Sequence, residues 1–70
     1  RLLVEAGVAT WRGQSARATA LREAWLADHP RDRAVLADLA YAYLRARRPA
    51  DARAAYERLV ALDSLDAALH

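Results

Sequence analysis

Four alanine- and leucine-rich segments follow one another with breaks of only three or four residues, and this spacing limits what the chain can fold into. The breaks read "GQS" at 13–15, "HPRD" at 29–32 and "RRP" at 47–49. Connections this short leave consecutive helices no arrangement except side by side and antiparallel. Gly13 suits the positive φ of a helix C-terminus, and Ser15 is placed to cap the second helix with its hydroxyl. Pro30 ends that helix, because the residue before a proline disfavours the helical region. Asp32 is placed to cap a third helix, and Pro49 to open a fourth, where its missing N–H costs nothing. Asp63 and Ser64 read as the cap of a fifth, partial helix. The predicted fold is therefore all-α and without strands. Its parts are one hairpin over residues 2–29, a second over 33–62 and a helical stub over 65–70. With no long linker, these form a single domain.

Composition supports this. Apolar residues make up 56%, with only two glycines and two prolines, which is the balance of a helix-forming chain. The absence of cysteine excludes disulfides, cysteine zinc sites and cysteine nucleophiles. No apolar run approaches the ~20 residues that span a bilayer, and no segment resembles a signal peptide. The chain opens on Arg1 rather than Met, so it is expected to be an excised part of something longer. All eleven basic residues are arginine and the net charge is +2. That bias fits a GC-rich bacterial genome better than a function, and the cytoplasm and periplasm are both compatible. Opposite charges interleave at Arg22-Glu23, Arg31-Asp32-Arg33, Asp51-Ala52-Arg53 and Glu57-Arg58. Nucleic-acid binders concentrate positive charge on one face, so this pattern reads as a solvated surface.

Leu36, Leu39, Ala40, Tyr43 and Leu44 fall on one face of the third helix, and Ala52, Tyr56, Leu59 and Val60 form a stripe on the fourth. An offset of 34 residues pairs Leu2 with Leu36, Ala6 with Ala40, Gly13 with Arg47, Ala18 with Ala52, Trp25 with Leu59 and Pro30 with Ser64. Alanine matches arise easily by chance, so the placement at turns and helix contacts carries the comparison. Residues 33–66 resemble the tetratricopeptide repeat, whose 34-residue unit reads W-x2-L-G-x2-Y…A-x3-F…P. Here the same places hold Leu36, Leu39, Ala40 and Tyr43, then Ala52 and Tyr56, then Leu59 and Ser64. The departures are Leu36 for tryptophan, Ala40 for glycine and Ser64 for proline. The resemblance implies stacked helical hairpins in a solenoid, with Ala40 and Ala52 at the closest approach of two helices. Tyr43 and Tyr56 would fill the space beside that contact. Residues 1–32 resemble a degenerate preceding repeat. Gly13, Ala18 and Pro30 are in register, whereas Glu5, Ala9 and Arg22 stand where large apolar residues belong. Moving the second helix by one residue would set Leu21 and Ala24 against Tyr56 and Leu59, so the register of this half stays open. Trp25 is expected to pack on the third helix.

Catalysis finds no foothold. His29 and His70 sit at a helix end and the chain end, Ser15 and Ser64 read as caps, and Asp32, Asp51, Asp63 and Asp66 lie at helix starts, where the macrodipole favours them. No glycine-rich phosphate loop exists. No enzyme activity, cofactor or metal is expected. Arg45, Arg47 and Arg48 form the one basic focus. Arginines there stabilise a helix C-terminus, and the alternative is a phosphate, acidic-ligand or nucleic-acid contact assisted by Trp11. Tyr41 lies about 200° around the helix from Tyr43 and cannot share its face. In tetratricopeptide arrays the first helix of each hairpin lines a concave ligand groove. That resemblance assigns Ala34, Ala37, Asp38, Tyr41, Leu44 and Arg45 to the groove, with Trp11 near the equivalent place in the first hairpin. Packing of Tyr41 on an adjacent repeat is the competing reading. Members of the family that clamp chaperone tails use lysine and asparagine, and this chain has neither. The expected function is a non-catalytic scaffold module that binds a protein or peptide partner in the groove. The phrase "HPRDRAVLADLAYAYL" is similar to repeats of bacterial secretion and envelope-assembly scaffolds. Two repeats leave apolar flanks at both ends, so self-association through those faces is a further expectation.

Overall fold

The computed structural model describes the backbone of residues 1–69 and the side chains of residues 1–65. Its elements are α1 (Leu2–Trp11), α2 (Ser15–Asp28), α3 (Arg33–Arg45) and α4 (Pro49–Leu69). Apart from Arg1 and the short connections the described residues are helical, with no strand among them. Two compact units result, residues 1–30 and residues 31–70. In the first α1 packs on α2, and in the second α3 packs on α4.

In the second unit, α3 buries Val35, Leu36, Leu39, Ala40 and Tyr43, with Leu36 only 1% exposed. Ala52 and Ala55 of α4 are buried as well, and Leu59 and Leu62 are half-buried. Asp32 caps α3 as its position predicts: its Oδ1 accepts from the Val35 N–H at 3.2 Å, a contact worth about 1 kcal/mol. Arg33 donates to the Leu62 carbonyl at 3.3 Å and pairs with Asp63 at 3.4 Å, linking the start of α3 to α4. Both groups are exposed, so this link adds little stability.

Two expectations are corrected here. No fifth helix begins at Asp63-Ser64, because α4 runs unbroken from Pro49 to Leu69. Neither proline nor glycine occurs after Pro49. Aspartate and serine inside a helix cost only a few tenths of a kcal/mol against alanine and leucine neighbours. The Asp63 carboxylate meets Arg33 rather than a helix start. Of the predicted stub, His70 and the side chain of Asp66 lie outside the described residues. The second correction concerns Tyr56, which is 43% exposed rather than a core filler. The covered stripe of α4 is Ala52, Ala55, Leu59 and Leu62, and Tyr56 stands 100° around the helix from Ala55.

In the first unit Ala6, Ala9, Ala18, Thr19 and Leu26 are buried. The Thr10 hydroxyl donates back to the Ala6 carbonyl at 3.0 Å. Ser15 is not the cap of α2. Gln14 occupies that position without a side-chain hydrogen bond, and Ser15 is already helical. His29 ends the helix by stacking its ring on Trp25, with centroids 3.7 Å apart and planes 9° from parallel. Its Nδ1 lies 3.2 Å from the Trp25 carbonyl oxygen, as a residue at a helix C-terminus is expected to do.

The two hairpin turns share one geometry. Arg12 and Ala46, which close α1 and α3, both have φ −84° and ψ 3°. Gly13 follows with φ 74° and Arg47 with φ 60°. The Gly13 and Gln14 N–H groups donate to Thr10 and Ala9, and those of Arg47 and Arg48 to Leu44 and Tyr43. Both are Schellman closures, at equivalent positions 34 residues apart (47 − 13). Ala24, which a one-residue shift of the second helix would set against Leu59, is exposed, whereas Trp25 and Leu59 are both half-buried.

Gly13 holds its left-handed backbone without steric cost, whereas Arg47 pays for a Cβ there. A Cβ added at Gly13 meets nothing within 4 Å, so only backbone strain separates the two positions. Gly13→Ala should lower the stability of the chain by about 1 kcal/mol, and Arg47→Gly should raise it by a similar amount. Urea unfolding followed by circular dichroism measures both.

Candidate functional site

Burial of Leu36, Leu39, Ala40 and Tyr43 fixes the rotation of α3 about its axis. The opposite stripe, Ala34, Ala37, Asp38, Tyr41, Leu44 and Arg45, is exposed along its whole length. Tyr41 is 58% exposed, in keeping with the 200° that separates it from Tyr43. Arg45 Nη1 donates to the Tyr41 hydroxyl oxygen at 3.3 Å. Its guanidinium carbon stands 5.8 Å from the centre of the Tyr41 ring. One turn of helix thus holds an aromatic ring and a cation together. That restraint lowers the entropy lost when a ligand immobilises them.

Leu44 closes this stripe and opens another surface. With Pro49, Tyr56 and Val60 it lines an open, mostly apolar groove of about 620 Å³ on α4. Sequence reasoning placed Tyr56 and Val60 in the core and so missed this groove. The clue was the cleaner spacing of Ala52, Ala55, Leu59 and Leu62, which claims the buried face and leaves Tyr56 and Val60 outside.

The three arginines at the α3–α4 turn do not act as one cluster. Arg45 belongs to Tyr41. Arg47 supplies the left-handed turn residue. Arg48 donates from Nε to Asp51 Oδ2 at 2.9 Å, and its guanidinium lies 4.6 Å above the Tyr43 ring. That side chain spans the turn and covers the edge of the core.

The structure therefore brings Asp38, Tyr41, Leu44 and Arg45 onto one stripe of α3. Trp11 belongs to the other unit. It is 88% exposed on α1 and shares a stripe there with Val4 and Val8, which are also exposed. Among the described residues no group of histidine, cysteine or carboxylate side chains is placed to hold a metal ion. No described helix is long and apolar enough to cross a membrane. No model of a known protein family, no characterised protein and no solved structure matches this chain.

Proposed function

We propose that this chain is a non-catalytic interaction module of the tetratricopeptide type. It binds a peptide or a partner subunit through the α3 stripe of Asp38, Tyr41, Leu44 and Arg45. The observation that carries this reading is the Tyr41–Arg45 pair, held together on the surface by a 3.3 Å hydrogen bond and contributing nothing to the core. Tyrosine and arginine are the residue types that most often dominate binding at protein interfaces. The 34-residue recurrence of the turn geometry supports the family reading. So does the burial of Leu36, Leu39, Ala40, Tyr43 and Ala52 at the motif positions. A role in a bacterial secretion or envelope-assembly scaffold accords with the wording of residues 29–44.

Nucleic-acid binding is the weaker reading. The net charge is +2, and Arg48 is already engaged by Asp51 and the Tyr43 ring.

A peptide selected from a random displayed library against the chain provides a ligand for calorimetry. Tyr41→Ala and Arg45→Ala should each weaken that peptide at least about tenfold while leaving helicity unchanged. Undiminished affinity in both variants would move the site elsewhere. A DNA oligonucleotide should show no binding with a steep salt dependence, and a slope of several ions would instead favour the nucleic-acid reading.

A further inference from the structure

Two apolar surfaces lie outside both hairpin cores. On α1, Val4, Val8 and Trp11 form a ridge at i, i+4, i+7, all exposed. The α3 residues 34 positions on are Asp38, Ala42 and Arg45, so two of the three positions of the α1 apolar ridge are charged on α3. On α4, Pro49, Tyr56 and Val60, with Leu44 at their head, line the open groove. We infer that the α1 ridge of one copy of this chain docks in the α4 groove of a second copy, the two helices running antiparallel.

Charge selects both the occupant and its direction. Arg1 and Glu5 flank one edge of the ridge four residues apart, and Arg53 and Glu57 flank one edge of the groove at the same spacing. The latter two form a loose 4.0 Å pair in solvent, which leaves both available to a partner. Antiparallel helices bring these edges together, with Glu5 facing Arg53 and Arg1 facing Glu57. A parallel alignment would put the two charged edges on opposite sides of the contact, where neither pair can form. The antiparallel register carries Val4 towards Tyr56 and Trp11 over Leu44 and Pro49. Both halves of the complementary pair lie on this chain, so a second copy is the occupant. Ridge and groove are different surfaces, so the contact is head-to-tail rather than two-fold. A single helix pair buries less than the about 800 Å² per partner of a standard stable interface. The association is accordingly weak and concentration-dependent.

Sedimentation equilibrium of the 70-residue chain tests this. The average mass should rise with concentration up to the millimolar range. Trp11→Glu and Tyr56→Glu should each abolish the rise while retaining helicity. Mixed in equal amounts they should form a one-to-one dimer, because each contributes the face that the other lacks. Glu5→Arg and Arg53→Glu, both at exposed positions, should each weaken association several-fold, and the double reversal in one chain should restore it. That arm decides the question if either glutamate variant fails to fold. Tyr41→Ala should change nothing, which separates this contact from the proposed peptide site. A wild-type chain that stays monomeric, a mixture that forms no dimer, or a double reversal no better than its parents would overturn the inference.

Discussion

Both hairpins depend on alanine. Ala6, Ala9 and Ala18 in one unit and Ala40, Ala52 and Ala55 in the other are almost completely covered. A methyl group allows paired helices to approach closely and still exclude water. Such a contact contributes little apolar area by itself. Its importance is geometric, since it determines which larger side chains the interface can enclose. In the second unit these are Val35, Leu36, Leu39 and Tyr43, and in the first Leu26 is the one large apolar residue buried among those described. Single cores of this size supply modest stability, so each enclosed leucine or tyrosine is a large fraction of the total.

The same constraint creates the surface. Once Leu36, Leu39, Ala40 and Tyr43 face inward, helix geometry turns Tyr41 and Arg45 outward. The one-turn spacing then lets the guanidinium reach the phenol oxygen. On α4, enclosing Ala52, Ala55 and Leu59 leaves Tyr56 and Val60 uncovered, the latter 64% exposed. The shallow alanine interface and the exposed aromatic and branched side chains are two results of one packing choice. Arg48 marks the boundary between them. It lies on the Tyr43 ring and bonds Asp51, joining core to turn.

Much of the fold was legible in the sequence because breaks are local chemistry. Gly13, Asp32 and Pro49 act at their own positions, and each does what its residue type predicts. The α3 stripe was legible for a similar reason, since a helix with one clear apolar face fixes the opposite one. The failures occurred where local signals compete or where composition blurs the phase. Ser15 can cap a helix or enter it, and it enters. Asp63 and Ser64 resemble a cap, but no helix-breaking residue precedes or follows them to stop α4. In α4 alanine stands at 50, 52, 54, 55 and 61, so hydrophobicity alone barely separates one face from the next. The surface that α3 presents decides which alanines are enclosed, and Tyr56 falls on the wrong side. The Arg48–Asp51 link across the start of α4 was likewise invisible in a search for basic clusters.

Comparing two alanine-to-leucine substitutions on the same helix tests the central role of alanine packing most directly. Ala37 is exposed and Ala40 is completely buried, while their intrinsic helix preferences are the same. By urea unfolding, Ala37→Leu should change stability by no more than about 0.5 kcal/mol. Ala40→Leu should cost about 1–3 kcal/mol through overpacking. Equal effects at the two positions, or stabilisation by Ala40→Leu, would contradict the account.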